Sequence, residues 1–400
     1  MKKKYPAVVL GMFEPGLAVG RSLGRNGIKV FGLDFKKDVG FYSKYINAEI
    51  CPNPLIDEPI FIDFLIKFAD KHQHKPVLFI TSDNFLNAIS RNRNKLKKYF
   101  FMNLPDHKVI ESITDKYKQY QLLLNGNIPF PATYFPKDLE EVNEIKDEIK
   151  YPVFLKAKEV TSWRKVMGDG IKGFVLNNPE ELVERYNYIF GENLEAIVQE
   201  VIPGFDTNHF KFCAYVSQNG EFLLQFTLRK IHQNPIHFGI GSTVESIKYP
   251  ELMRIGKKFF ESINYRGIGS AEFKLDSRDG KLKLIELNPR YWQQNALADK
   301  CGMNFPLVDY LEVTQQNPEP VYNFKTDIKW VNTYLDIGSF LNYRRTGEIS
   351  FKEWITSLKG KKTFSIFAWD DMFPLCYDLS KKSISVFKKF FKKSGFKINS

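Results

Sequence analysis

The chain has 400 residues, with 58 lysines and arginines against 46 acids for a net charge of +12, and is 43% hydrophobic and 15% aromatic. That much apolar material fits two or three packed domains and excludes a disordered chain. Seven lysines and no acid stand in residues 381–400, so most of the excess charge is one terminal segment, which argues against a nucleic-acid-binding face spread over the fold.

Residues 5–34 alternate strand, loop, helix and strand: Ala7 to Leu10, a Gly11-x4-Gly16 loop, a helix through Arg21, then Ile28 to Gly32 ending at Asp34. This is a Rossmann-like opening, but its glycines do not fit G-x-G-x-x-G, so it reads as a βαβ scaffold with a tight turn rather than a dinucleotide fingerprint. Val77 to Ile80 is a second buried strand, followed by Thr81-Ser82-Asp83 and a helix through Leu96. Small molecules bind beyond the carboxyl ends of such strands, which makes Gly11, Glu14, Ser82 and Asp83 candidates for part of a substrate site. The basic face Arg91, Arg93, Lys95, Lys97 and Lys98 reads as solvated.

Thr114 or Asp115 caps the next helix, which ends at Asn125-Gly126-Asn127-Ile-Pro129. Lys116 in its first turn opposes the helix dipole and suggests an anionic partner. Tyr151 to Lys158 is a strand ending in lysines, Lys156 foremost, and Val160 to Gly170, with Arg164, Lys165, Gly168 and Gly170, reads as a basic loop suited to a lid over phosphates. After a helix over Glu180 to Phe190, Ala196 to Asp206 is a strand running into a Pro-Gly turn.

Phe210 to Tyr215 and Glu221 to Arg229 form a hairpin around Ser217 to Gly220, with Arg229-Lys230 and His232 at its far end and a Gly239-Ile-Gly241-Ser-Thr243 turn after it. Two adjacent cations there suit a developing negative charge, whereas a sheet histidine is more often simply hydrogen-bonded. Pro250 to Asn264 is a packing helix.

Gly267 to Trp292 is a second hairpin turning at Ser277 to Gly280. On its second strand Leu282 and Leu284 share a face with Glu286 and Asn288, by the period of two. A three-residue loop centred on Asp279, with Gly280 left-handed, sets Glu272 opposite Glu286. Two facing acids ask for a cation, and their hard oxygens suit Mg²⁺, or Mn²⁺ in its place. Arg290 adds a phosphate-binding fork.

The hairpin and its Glu-Leu-Asn-Pro-Arg-Tyr-Trp run resemble the metal-binding hairpin of ATP-grasp enzymes, in the carboxylate–amine ligase branch that includes D-aspartate ligase and is similar to carbamoyl-phosphate synthase-like proteins. The resemblance covers about residues 113–312, in the order two lysines, hinge, cations, metal hairpin. It implies an α/β fold with an α+β ATP-grasp core: a Rossmann-like preATP-grasp domain (1–112), a two-lobed ATP-grasp domain (113–312, lid roughly 150–200) and a C-terminal extension (313–400).

By position it implies Lys116 and Lys156 on nucleotide, Gln199, Glu200 and Ile202 at adenine, Asp206 at ribose, Glu272, Glu286 and Asn288 on metal, and Arg229, Lys230 and Arg290 at the reacting groups. The implied activity is an ADP-forming carboxylate–amine ligase, with ATP and Mg²⁺, an amino acid as one substrate, and a cell-wall or surface-glycan precursor as the other. Two other classes stay open: a non-catalytic ATP-binding sensor, and a nicotinamide-dependent oxidoreductase resting on the first βαβ unit.

Beyond residue 313, Trp330, Trp354, Trp369 and Ala368 to Pro374 suggest a small aromatic cap. In the last helix Ile384, Phe387, Phe390 and Phe391 interleave with lysines, which predicts either contact with an anionic membrane or a solvated tail. The cysteines Cys51, Cys213, Cys301 and Cys376 form no C-x-x-C pair, so a reducing cytoplasm is the expected home. No run reaches about 18 apolar residues, and Glu14-Pro15 interrupts the N-terminal apolar run too early for a secretory signal.

Overall fold

The structure, a computed structural model, describes residues 4–158, 160–168, 171 and 173–393. Its first sheet is parallel: β1 (Ala7–Leu10) lies between β2 (Val30–Asp34), with β3 (Ile46–Ile50) outside it, and β4 (Val77–Ile80). Alternate residues of β1 enter different cores. Ala7 and Val9 join a large central cluster, while Val8 and Leu10 pack with Phe61, Leu65 and Phe85 from flanking helices. Burial on both faces is why these strands read as unbroken apolar runs.

The turn after β1 needs glycine twice. Gly11 has φ +94°, and a Cβ on Gly16 would lie 1.8 Å from the Gly11 carbonyl oxygen. Asp34 braces the same turn by accepting from the Met12 NH at 2.7 Å, a structural duty that agrees with the scaffold reading. The expected helix through Leu96 breaks at Asn92 into Asp83–Arg91 and Arg93–Leu96.

A four-stranded antiparallel sheet forms from β5 (Thr133–Tyr134), β6 (Val153–Ala157), β7 (Gly173–Leu176) and β8 (Ala196–Glu200), in the order β5-β8-β6-β7. The stretch expected as a basic loop is largely the helix Val160–Met167. Trp163, 1% exposed, is its anchor in the core of this unit, and its indole NH donates to the Ile171 carbonyl at 2.8 Å. Asp169, Gly170 and the Arg164 side chain lie outside the described residues.

The third sheet joins β9 (His209–Val216), β10 (Phe222–Asn234), β11 (Ile240–Ser246), β12 (Gly267–Leu275), β13 (Leu282–Asn288), β14 (Ile328–Val331) and β15 (Lys361–Phe364), in the order β13-β12-β9-β10-β11-β14-β15. All its pairings are antiparallel except β14 with β15. Gly239 to Thr243, expected as a turn, mostly enters β11, because this stretch pairs with both β10 and β14.

One face of β9 (Phe210, Phe212, Ala214, Val216) packs with Leu252, Ile255 and Phe259 of the helix Pro250–Ser262, while Cys213 and Tyr215 face the central cluster. The chain beyond 313 is therefore no mere cap, since β14 and β15 extend this sheet. Trp330 is fully buried, whereas Trp369 is 84% exposed. The same region clamps the first sheet's helix Glu14–Arg25: Arg21 Nε donates to the buried Asp371 at 2.8 Å.

Candidate functional site

In the hairpin β12–β13, Glu272 does stand directly opposite Glu286, and Ser270 opposite Asn288. The register is reached by another route than expected. The loop is one residue longer, with Leu275 opposite Leu282 and Gly280 left-handed at φ +68°, and a bulge at Ile285 then restores the Glu272–Glu286 pairing. The bulge also reverses the faces. Leu282, Leu284 and Leu287 all enter the core with Ala271 and Phe273, so Glu286 and Asn288 share the opposite face rather than that of Leu282 and Leu284. An extra residue in one strand re-aims every side chain beyond it.

The site face of the third sheet carries five charged residues on neighbouring strands: Lys211 of β9, Lys230 of β10, Glu272 and Lys274 of β12, and Glu286 of β13. Lys211 Nζ lies 3.0 Å from one Glu272 oxygen and Lys230 Nζ 3.1 Å from the other. Burial would raise the Glu272 carboxyl, but these two ammonium groups hold it well below the usual carboxylate range. Lys211 was missed in the sequence, although it is the one charge in the apolar run His-Phe-Lys-Phe-Cys-Ala-Tyr-Val.

Lys274 is 8% exposed and has no ion pair or hydrogen bond among the described residues. His209, opposite Lys274 on β9, has a buried Nε2 without a partner. Burial first, then Lys230 and Lys274, push this imidazole down to about 3, so it is neutral.

Two further lysines come from elsewhere. Asp115 caps the helix Lys116–Asn125 by accepting from the Lys118 NH, which places Lys116 Nζ 3.5 Å from Glu286. Lys156, on β6, donates to Gln199 Oε1 at 2.8 Å, and Gln199 in turn donates to Thr133. Burial, then the neighbouring Lys116 charge, lower Lys156 to about 7, partly offset by Glu286. A pocket between the two sheets is lined by Lys116, Gln119, Lys156, Gln199 and the bulge residue Ile285.

Arg290 reaches across to the first sheet. Its Nε and one terminal nitrogen bind both oxygens of Asp83 at 2.7 and 2.9 Å, and the latter nitrogen also donates to Asn288. The Tyr291 NH donates to the Ile80 carbonyl, so the carboxyl end of β4, where Ser82 and Asp83 sit, adjoins the hairpin. Glu14 stands at the parallel end of β1 and accepts from Asn332 at 3.3 Å. Burial raises its carboxyl.

Other expected residues are not brought into the cluster. Arg229 lies on the opposite face from Lys230, because neighbours in a strand point apart. It pairs with Glu245 at 2.9 Å. Glu200 turns its side chain to Arg278 and Lys283 of the hairpin loop and strand, tying β8 to the hairpin. Asp206 accepts from the Tyr343 hydroxyl and from the His237 NH at 3.0 Å. Ile202, four residues before Asp206, is buried. His232 is fully satisfied by Asp336 at 2.8 Å and Ser357 at 3.2 Å, the structural reading.

Lys116, Lys211, Lys230 and Arg290 thus share only Glu272, Glu286 and Asp83, while Lys156 and Lys274 have no carboxylate at ion-pair distance among the described residues, the acids nearest in effect on Lys274 being Asp206 and Asp276. Such a surplus of enclosed cations is arranged for an anion. Among the described residues no three His, Cys, Asp or Glu side chains group as a metal site. Two carboxylates and one amide oxygen, completed by phosphate and water, are nonetheless the donor pattern of Mg²⁺. The residues present fit that ion.

A parallel sheet, a small antiparallel sheet and a large antiparallel sheet, with acids and lysines converging between the last two, give the α/β architecture that the ATP-grasp resemblance implied. Residues 217–310 match the family model described as carbamoyl-phosphate synthase L chain, ATP binding domain. The chain is similar to D-aspartate ligase of Enterococcus faecium, 28% identical over 275 residues, 66% of this chain and 65% of that enzyme. The match therefore spans just under two thirds of that relative.

Among solved structures it resembles N5-carboxyaminoimidazole synthetase from Staphylococcus aureus, with TM-score 0.62, 17% identity and 81% of each chain covered. It also resembles L-amino acid ligase from Bacillus licheniformis, with TM-score 0.58, 14% identity, and 80% of this chain and 79% of that one covered.

Proposed function

We propose that the chain is an ATP-dependent, ADP-forming ligase that joins a carboxylate to an amine through an acyl phosphate. The observation that supports this most is the Glu272–Glu286 pair set against Lys116, Lys211 and Lys230. Lys116 and Lys156 bind nucleotide phosphates, and Gln199 and the Ile202 backbone meet adenine. Asp206 keeps carboxylate lone pairs for ribose hydroxyls beside its bonds to Tyr343 and His237. Glu272, Glu286 and Asn288 would hold Mg²⁺, which when bound neutralises phosphate charge.

A substrate carboxylate oxygen attacks the γ-phosphorus and ADP leaves. An amine then attacks the acyl carbon, phosphate leaves, and the amine's proton passes to solvent. Lys230, Lys211 and Arg290 stabilise the charge that develops, and the protein's contribution is positioning and electrostatics. Arg229 has no part in this reading.

One substrate is an amino acid, as the names of two similar proteins suggest, and the other a cell-wall or surface-glycan precursor. Asp83, which Arg290 grips, Ser82 beside it in the chain and Glu14 at the end of β1 are the substrate-binding edge. The membrane contact expected of residues 381–400 falls largely outside the described residues, which exclude 394–400 and the side chains of 384–393.

The test is product analysis with Mg-ATP and pooled D- and L-amino acids, with and without hydroxylamine. ADP, phosphate and a hydroxamate are expected. AMP and pyrophosphate would overturn the acyl-phosphate step, and tight ATP binding without turnover of any pool would favour a sensor.

A further inference from the structure

We infer that the helices Thr333–Arg345 and Phe351–Ser357 form a docking face for an anionic lipid bilayer. The first helix buries Asp336, Ser339, Phe340 and Tyr343 and turns Tyr334, Ile337 and Leu341 outward, 60%, 45% and 59% exposed. Positions three and four apart fall on one stripe of a helix. The second helix adds Phe351 and Ile355, 57% and 41% exposed. It is locked to the first by the Phe340–Trp354 stack at 4.4 Å and the Phe340–Phe351 contact at 5.9 Å.

Five exposed apolar side chains on two helices packed together through Phe340 mark an interaction site rather than ordinary scatter. Its rim says which kind. Arg344, Arg345, Lys352, Lys359, Lys361 and Lys362 are all exposed. Of the three acids in residues 333–362, Asp336 is buried, Glu353 is spent on the Ser350 capping box, and Glu348 lies beside His237. The long helix Phe373–Lys393 joins the same surface, with Lys382 Nζ 4.2 Å from the Tyr334 ring centroid and paired with Asp378 of its own helix.

Apolar side chains at the centre of a cationic rim match the acyl boundary and headgroup charge of an anionic membrane. A second copy of the chain meeting this face symmetrically would set cations against the same cations. The inference rests on described residues of the two helices and is independent of the proposed ligase activity.

The test is co-sedimentation of the full chain with phosphatidylcholine vesicles with and without phosphatidylglycerol. Binding to the anionic vesicles, weakened by salt, is expected. The double variant Ile337→Asp/Leu341→Asp and the double variant Arg344→Glu/Arg345→Glu should each lower the partition coefficient at least about tenfold, with circular dichroism unchanged. Equal partition of wild type and the stripe variant, equal binding to neutral vesicles, or no binding would overturn the proposal. So would a dimer in sedimentation velocity that the stripe variant abolishes, since the stripe would then cover a second copy.

Discussion

Lys156 gives the nucleotide site a pH dependence that can be worked out in advance. Burial and the Lys116 charge bring its ammonium down to about 7, from about 10.4 for an ordinary lysine. A bound phosphate reverses both causes by supplying an opposite charge, so binding pulls a proton back onto Lys156 wherever the free protein has lost it.

The sign follows: affinity is greatest below pH 7 and falls as pH rises above it. The slope approaches about tenfold in Kd per pH unit, or about 1.4 kcal/mol. If binding restores an ordinary lysine, Kd for Mg-ATP rises about fiftyfold between pH 7 and pH 9, about 2.3 kcal/mol. Calorimetric titration in buffers of differing ionisation enthalpy measures both Kd and the proton taken up. Lys156→Arg stays charged throughout this range and should lack the rise. A wild-type Kd that is flat from pH 6 to 9, or a Lys156→Arg protein with the same slope, would refute the reasoning.

The two hairpin acids should separate stability from activity. Glu286→Gln, at a half-exposed side chain 3.5 Å from Lys116, should abolish ADP formation while costing under about 1 kcal/mol in urea unfolding. Glu272→Gln leaves Lys211 and Lys230 buried without a carboxylate and should cost about 3 kcal/mol or more in the same assay. Lys230→Gln should lower kcat/KM at least about a hundredfold, whereas Arg229→Gln, on the other face, should leave turnover within about twofold. Asp371→Ala removes the partner of Arg21 and the acceptor of the Ser43 hydroxyl and Lys44 NH, and should destabilise by about 3–5 kcal/mol.

The hairpin Gly267 to Trp292 shows how far local rules reach. The turn signal locates the hairpin, but the register from the turn is one residue off, and only the bulge at Ile285 brings Glu286 opposite Glu272. The bulge at Ile285 was not legible, because a one-residue insertion leaves no compositional trace and shows only in which leucines find a core. Arg229 illustrates a different miss. Strand alternation alone says that Arg229 and Lys230 point apart, and only the neighbouring strands decide which of them faces Glu272. The helix Val160–Met167 was read as a loop from its charges and glycines, although Trp163 and Met167 stand one turn apart.

By itself the sequence determined the order of strands, helices and charged motifs along the chain, since periodicity and turn chemistry act over a few residues. It carried the helix start at Lys116, the strand bearing Lys156 and the strand Ala196–Glu200 by local pattern, whereas the pairing of Glu272 with Glu286 needed the bulge. Only the tertiary structure decided that Lys211 and Lys230 share Glu272, that Arg290 grips Asp83 from another sheet, and that β14, β15, Tyr343 and Asp371 bind the last part of the chain to the first and third sheets. These contacts join residues tens to hundreds of positions apart, and which of them form depends on how whole sheets stack.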